Sequence, residues 1–155
     1  MRNGQKGFSL IELLIVVAII LIIAAIAIPN LLRSKIAANQ ASAVGSLRTL
    51  NTACIAYSTS YGQFPAALAN LGPMASGGTA SSTSADLIDS VLASGSKSGY
   101  TFVYTAGASN QSYTVTATPI TAATTGQNMY FSDQSGVIRV DTSGSGAAAT
   151  STPIG

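Results

Sequence analysis

The chain has 155 residues, of which 47% are hydrophobic and only 8% charged, with a formal net charge of +2. That is one small domain's worth of chain plus an extra element, with fewer charges than a soluble domain carries. It has no histidine and one cysteine, Cys54, which excludes His-based catalysis, thiol–metal clusters and a disulfide within the chain, and its basic residues form no dense patch, so direct nucleic-acid binding is not expected.

The apolar residues concentrate near the N-terminus. From Leu13 to Leu32 there is no charge, and only Pro29 and Asn30 depart from apolar or small side chains. As a helix, such a run rises roughly 30 Å, the thickness of a bilayer's hydrocarbon core. Three readings compete for it. A secretory signal peptide would use Arg2 and Lys6 as its basic start and Ala25-Ile26-Ala27 as its cleavage site, but Glu12 interrupts the run, which is also longer than the usual apolar region. A plain membrane anchor explains the length and leaves Glu12 as a cost of about 3 kcal/mol at a helix centre, less if the side chain snorkels.

The third reading rests on "KGFSLIE" at residues 6–12, followed by "LLIVVAIILIIAAIAIPN". This resembles the leader and helix start of the type IV prepilins, through Lys6, Gly7, Phe8, Glu12 and Pro29. The resemblance implies that a membrane aspartyl peptidase removes leader residues 1–7 by cutting after Gly7 and then N-methylates Phe8. It implies that residues 8–32 cross the cytoplasmic (inner) membrane once, in contact with lipid, and later form the core of an extracellular filament. Its partners would be further copies of the chain, the peptidase and the pilus assembly machinery. Pro29, which removes one backbone donor, is expected to kink the helix or let it loosen. Cleavage would leave a cationic amine on Phe8, and packing would bring it to a neighbour's Glu12. At about 4 Å and an effective dielectric of 20 that attraction is about 4 kcal/mol before desolvation. Loss of Arg2 and Lys6 would leave five basic side chains against five acidic ones, which suits close packing of many copies.

Residues 33–62 read as an amphipathic half of the same helix. Ala37, Ala41, Val44, Leu47, Leu50, Cys54, Tyr57 and Tyr61 recur at three- and four-residue intervals, with Ser42, Ser46, Arg48, Asn51, Thr52 and Ser58 on the wet side. Gly62 and Pro65 end the run. Residues 63–98 form a long connection with two short helices, one around Ala66–Leu71 and one over "SADLIDSVLASG", with Ser84 as N-cap, Asp86 in the first turn and Gly95 beyond the end. Four strands are expected within 99–141, at 100–107, 112–119, 128–131 and 136–141. In the second, Tyr113, Val115 and Ala117 should face inward; in the fourth, Ile138 and Val140. The fold class is therefore α+β, a long N-terminal helix packed on a four-stranded antiparallel sheet. Residues 142–155, "TSGSGAAATSTPIG", read as a disordered or loosely held tail dispensable for folding.

Other side chains have a bland reading beside a sharper one. Asp133 and Asp141 fall short of the oxygen ligands a calcium site needs and fit a turn and an exposed strand. Cys54 fits a small core residue better than a redox thiol. Tyr57, Tyr61 and Phe64 fit a covered face rather than an aromatic relay. Asn110-Gln111-Ser112 matches a glycosylation sequon, and the Ser and Thr of 79–84 and 142–152 are possible sugar acceptors, though solvated loops account for both. No pattern calls for a cofactor, a metal or an enzymatic reaction. The expected function is that of a structural subunit of a type IV pilus, for adhesion, motility or uptake. The alternatives are a pseudopilin of type II secretion and, more distantly, a membrane-anchored binding domain that never polymerises. Many pilins secure the C-terminal segment with a cysteine pair that this chain lacks, which would leave that task to the 136–141 strand.

Overall fold

The computed structural model describes residues 7–74, 76 and 78–154; Arg2 and Lys6 of the expected leader lie outside the described residues. The chain divides into two compact units between Lys35 and Ile36. Helix α1, Leu10–Tyr61, contributes to both and contains Pro29. In the first unit its side chains have no core to enter: from Gly7 to Lys35 every residue is exposed except half-buried Ala24.

In the second unit α1 buries Ala43, Ser46, Leu47, Leu50, Asn51, Ala53, Cys54 and Tyr57. The stripe holds its three- and four-residue spacing but is rotated from the one expected: Ala37 and Ala41 are exposed, while Ser46 and Asn51 are buried. Burial of Asn51 is made possible by partners. Its Nδ2 donates to Ser132 Oγ at 2.8 Å and lies 3.3 Å from the Gly136 carbonyl, and Tyr113 donates its hydroxyl to Asn51 Oδ1 at 3.1 Å. Polarity read along one helix cannot anticipate partners from two strands and a turn. Gly62, at φ +75°, ends α1 in the left-handed conformation, its N–H donating to Ser58 O at 2.8 Å.

The sheet has six strands rather than four: β1 Ser96–Lys97, β2 Tyr100–Ala106, β3 Tyr113–Pro119, β4 Met129–Asp133, β5 Arg139–Asp141 and β6 Thr152–Pro153. They lie in chain order, each antiparallel to the next. The register aligns Phe102, Ala117, Tyr130 and Val140 in one row and Tyr104, Val115 and Ser132 in another. These rows pack with Leu47, Leu50, Cys54 and Tyr57 in one core. Tyr113, Val115, Ala117 and Ile138 are buried as expected. The two unexpected strands are each two residues long, too short to carry an alternating signature. β1 joins β2 through Ser98 and Gly99, both at positive φ (50° and 76°), the requirement of a tight hairpin turn.

The connection also differs from expectation. The first short helix is a 3-10 turn, Leu68–Leu71. The second, α2, is Ser90–Ala93, capped by Asp89 instead of Ser84. Ser84 exchanges backbone hydrogen bonds with Ser81, both 3.0 Å. The N–H groups of Ala85, Asp86, Leu87 and Ile88 go to carbonyls of Asn70, Leu71 and Gly72 at 2.8–3.1 Å, so none is left for a helix before Ser90. Gly126 lies against Tyr100, where an added Cβ would stand 2.1 Å from the hydroxyl oxygen.

The C-terminal segment is docked, which overturns the expectation of a loose tail. β6 pairs with β5, and Ile154 donates its N–H to Ile138 O at 2.8 Å and packs, half-buried, on the core. Arg139 Nη1 donates to Ser151 O at 3.1 Å. Upstream, the Asp141 carboxylate accepts from Ser143 N, Ser143 Oγ and Gly146 N at 3.0, 2.7 and 3.0 Å. Composition hid these contacts because they are made by backbone and by small hydroxyls.

This packing has two measurable consequences. Truncation after Asp141 removes β6 and Ile154 and lowers stability by roughly 2–3 kcal/mol, from the lost strand hydrogen bonds and one partly buried Ile; an unchanged denaturation midpoint would show the tail to be dispensable. Asn51→Ala leaves Ser132 and Tyr113 short of a buried partner and costs about 2–4 kcal/mol, whereas Ser46→Ala on the same buried stripe has little effect; equal midpoints for the two variants would refute the role of the Asn51 network.

Candidate functional site at the start of the long helix

Gly7, Phe8 and Ser9 are outside any helix or strand, and α1 begins at Leu10. Phe8 is 78% exposed. The Gly7–Phe8 peptide bond therefore lies in open, non-helical chain just before an apolar helix. Glycine suits such a position because it resists helix formation. The helix start itself is organised by Glu12. The Ser9 N–H donates to Glu12 Oε2 at 2.9 Å, and Leu13 N–H donates to Ser9 O at 3.2 Å. Ser9 and Glu12 stand in the Ser-x-x-Glu relation in which an acid three residues into a helix reaches back to the N-cap amide. The sequence carries this signal in "SLIE", and reasoning from charge alone missed it.

From Leu13 to Ile28 the side chains turn a wholly apolar surface outward. Leu13, Leu14, Ile15, Val16 and Val17 are 46–60% exposed, and Leu31 is 70% exposed. α1 is long and apolar enough to cross a membrane. Glu12 is the only charged residue between Gly7 and Leu32. Pro29 lies inside α1, in a stretch with no buried neighbour.

The structure does not bring the other candidate residues to this site. Asp133 accepts from Ser135 N at 2.9 Å and Asp141 is ringed by Ser143 and Gly146, so both carboxylates face N–H and O–H donors. Hydrogen bonds from Ser143 hold the Asp141 carboxyl below its usual range. Asp89 caps α2 through Leu92 N at 2.9 Å and pairs with Lys97 Nζ at 2.8 Å; the Lys97 bond is the main reason its carboxyl titrates low. Among the described residues no group of three or more acids, cysteines or histidines could hold a metal ion. Tyr57 stacks obliquely on Tyr61 with ring centroids 4.6 Å apart, and Phe64 meets Tyr113 edge-on at 4.8 Å. Tyr57 and Phe64 pack in or against the core, and Tyr57 donates its hydroxyl to Ser82 O at 2.7 Å, whereas Tyr61 is exposed and not covered as expected, because it lies on the last turn of α1. Asn110, at φ +53°, accepts through its backbone carbonyl from Phe64 N at 2.9 Å.

Cys54 is fully buried, and burial pushes its thiol up to about 12. The thiolate is the reactive form, so Cys54 should resist alkylation near pH 8 in the folded protein and react readily in denaturant. Rapid native labelling, followed by intact mass, would contradict its place in the core.

One comparison with known proteins meets the chain at this same segment. Residues 2–28 match the model of the prokaryotic N-terminal methylation motif. The chain is 52% identical over 59 residues to the type IV major fimbrial protein FimA of Dichelobacter nodosus, covering 36% of this chain and 37% of that one. It is 67% identical over 39 residues to the type IV wide pilus major component PilA4 of Thermus thermophilus, covering 25% and 29%. It is 31% identical over 64 residues to the type II secretion system core protein G of Klebsiella michiganensis, covering 41% and 45%. The chain thus matches less than half the length of each of these relatives. No solved structure matches the chain.

Proposed function

We propose that the chain, whose N-terminal segment is that of the type IV pilin and pseudopilin family, is the repeating subunit of a type IV pilus. A prepilin peptidase cuts it after Gly7 and methylates Phe8. The subunit waits in the cytoplasmic membrane as a single-pass protein and then polymerises through residues 8–32 into an extracellular filament for adhesion, motility or uptake. Its role is structural and not catalytic.

One observation carries this reading: a first half of α1, Leu10 to Leu32, with all its large apolar side chains outward and one acid, Glu12, at its start. A lipid anchor needs the first feature and uses Glu12 only as the cap of its own helix. A polymer uses both, because a Phe8 amine on one copy and Glu12 on the next fix the register of helices that otherwise slide past one another. Pro29, lacking an N–H, is the position where the helix yields as it leaves the lipid.

The second reading, a pseudopilin of type II secretion, is supported by the likeness to core protein G. Against its calcium-binding form stand Asp133 and Asp141, whose carboxylates are occupied by donors from their own turns. The more distant reading, an anchored domain that never polymerises, leaves Glu12 without a task outside its own chain.

Mass spectrometry of the mature protein should begin at N-methylated Phe8; an N-terminus at Ile28 would mean signal-peptide removal. Glu12→Ala should still be processed while sheared filaments fall at least about tenfold, the equivalent of about 1.4 kcal/mol of lost pairing. Normal filaments from that variant would sink the pairing. Filaments seen only on overexpression would favour the secretion reading.

A further inference from the structure

Among the described residues, Glu12 makes one hydrogen bond, and it is to its own chain: Ser9 N–H to Oε2 at 2.9 Å. Ser9 immediately precedes the first helical residue, so its amide is one of the donors that a helix cannot satisfy from within. Inside hydrocarbon there is no water to serve it. The carboxylate that answers this need also sits at the positive end of the helix dipole. Its second oxygen, Oε1, has no hydrogen bond among the described residues, and the residue is exposed. Glu12 therefore already holds one partner in its own chain before any neighbour arrives.

We infer that Ser9 is a positioning residue for assembly: its backbone amide holds the Glu12 carboxylate at the start of α1, committing Oε2 to its own chain and leaving Oε1 for the Phe8 amine of the next copy. This rests on the filament reading above and adds to it. The carboxylate does not exchange one partner for another when a subunit docks; it accepts both. The side-chain freedom that an extended glutamate would lose on docking is already lost in the free subunit. Charge at position 12 is then necessary without being sufficient, because the charge must also be aimed.

The test begins with the full-length mature protein in detergent micelles, where exchange of the Ser9 amide is read by NMR. Exchange should be about tenfold slower in the wild type than in Glu12→Ala, with Glu12→Gln in between, since a neutral amide still accepts. Equal exchange in wild type and Glu12→Ala overturns the inference, whether or not filaments form. The second arm uses wild-type filaments labelled at the Glu12 carboxyl carbon and at backbone nitrogen. Dipolar recoupling should find that carbon close to the Ser9 nitrogen of its own chain and to a Phe8 nitrogen of another. Filaments in which the carbon is near Phe8 of another chain but far from its own Ser9 nitrogen overturn the inference while leaving the pilus reading intact. Wild-type protein that forms no filament defeats the pilus reading, and the micelle measurement still decides whether Ser9 holds Glu12. In a third arm, Ser9→Pro deletes the N–H and keeps the charge. Once its mature Phe8 terminus is verified, sheared filament should fall at least about tenfold; wild-type yield would refute the positioning role.

Discussion

A helix that is apolar on every side must be covered by something other than its own chain. That constraint governs the N-terminal unit, where α1 has large aliphatic side chains exposed from Leu10 to Leu32. At about 25 cal/mol per Å² of apolar surface, the penalty for leaving such a helix in water is prohibitive for a protein of ordinary stability. Only two covers are compatible with its symmetry, lipid and other apolar helices. A subunit that passes from one to the other exchanges like for like, so the hydrophobic effect contributes little to the choice of partner. Polar groups at the helix start are then the available source of direction.

The second unit follows the opposite logic, since it covers itself. The stripe from Ala43 to Tyr57 meets the inner rows of the sheet in one core, and its buried Asn51 and the Tyr57 hydroxyl are paired. No buried side-chain nitrogen or oxygen among the described residues lacks a hydrogen-bond partner. A small domain without a disulfide needs its ends secured. Here the last strand is held by β5, by the Ile154–Ile138 backbone bond and by the turn gathered around Asp141. These interactions secure the C-terminal segment without a cysteine pair.

What the sequence revealed depended on how local the physics was. The long helix, the N-terminal methylation motif, the inward set Tyr113, Val115 and Ala117, and the burial of Cys54 were legible because each is encoded in a period or a fixed spacing. Asn51 was not, because its burial depends on Ser132 and Gly136, some eighty positions away. α2 was misplaced because "SADLIDSVLASG" has helix-like spacing throughout, while the backbone of 85–88 is claimed by residues 70–72. β1 and β6 escaped notice because two residues cannot display an alternation. Of the candidate site, Gly7, Phe8 and Glu12 stood out in the sequence as a motif. The hydrogen bond from Ser9 needed coordinates.

The sheet ends in very short strands on both sides, Ser96–Lys97 and Thr152–Pro153. An unpaired strand is a template on which another molecule can add its own, and the hazard grows with local concentration. Subunits crowded along a fibre would meet that hazard continuously. These outermost strands, one carrying a lysine and the other a proline that has no amide to offer, give an incoming backbone little to zip onto, although β1 covers only Tyr100 and Thr101 of the seven-residue β2. In the proposed fibre such trimming would let neighbouring globules touch without fusing into a common ribbon, and cohesion between copies would fall to their greasy stalks.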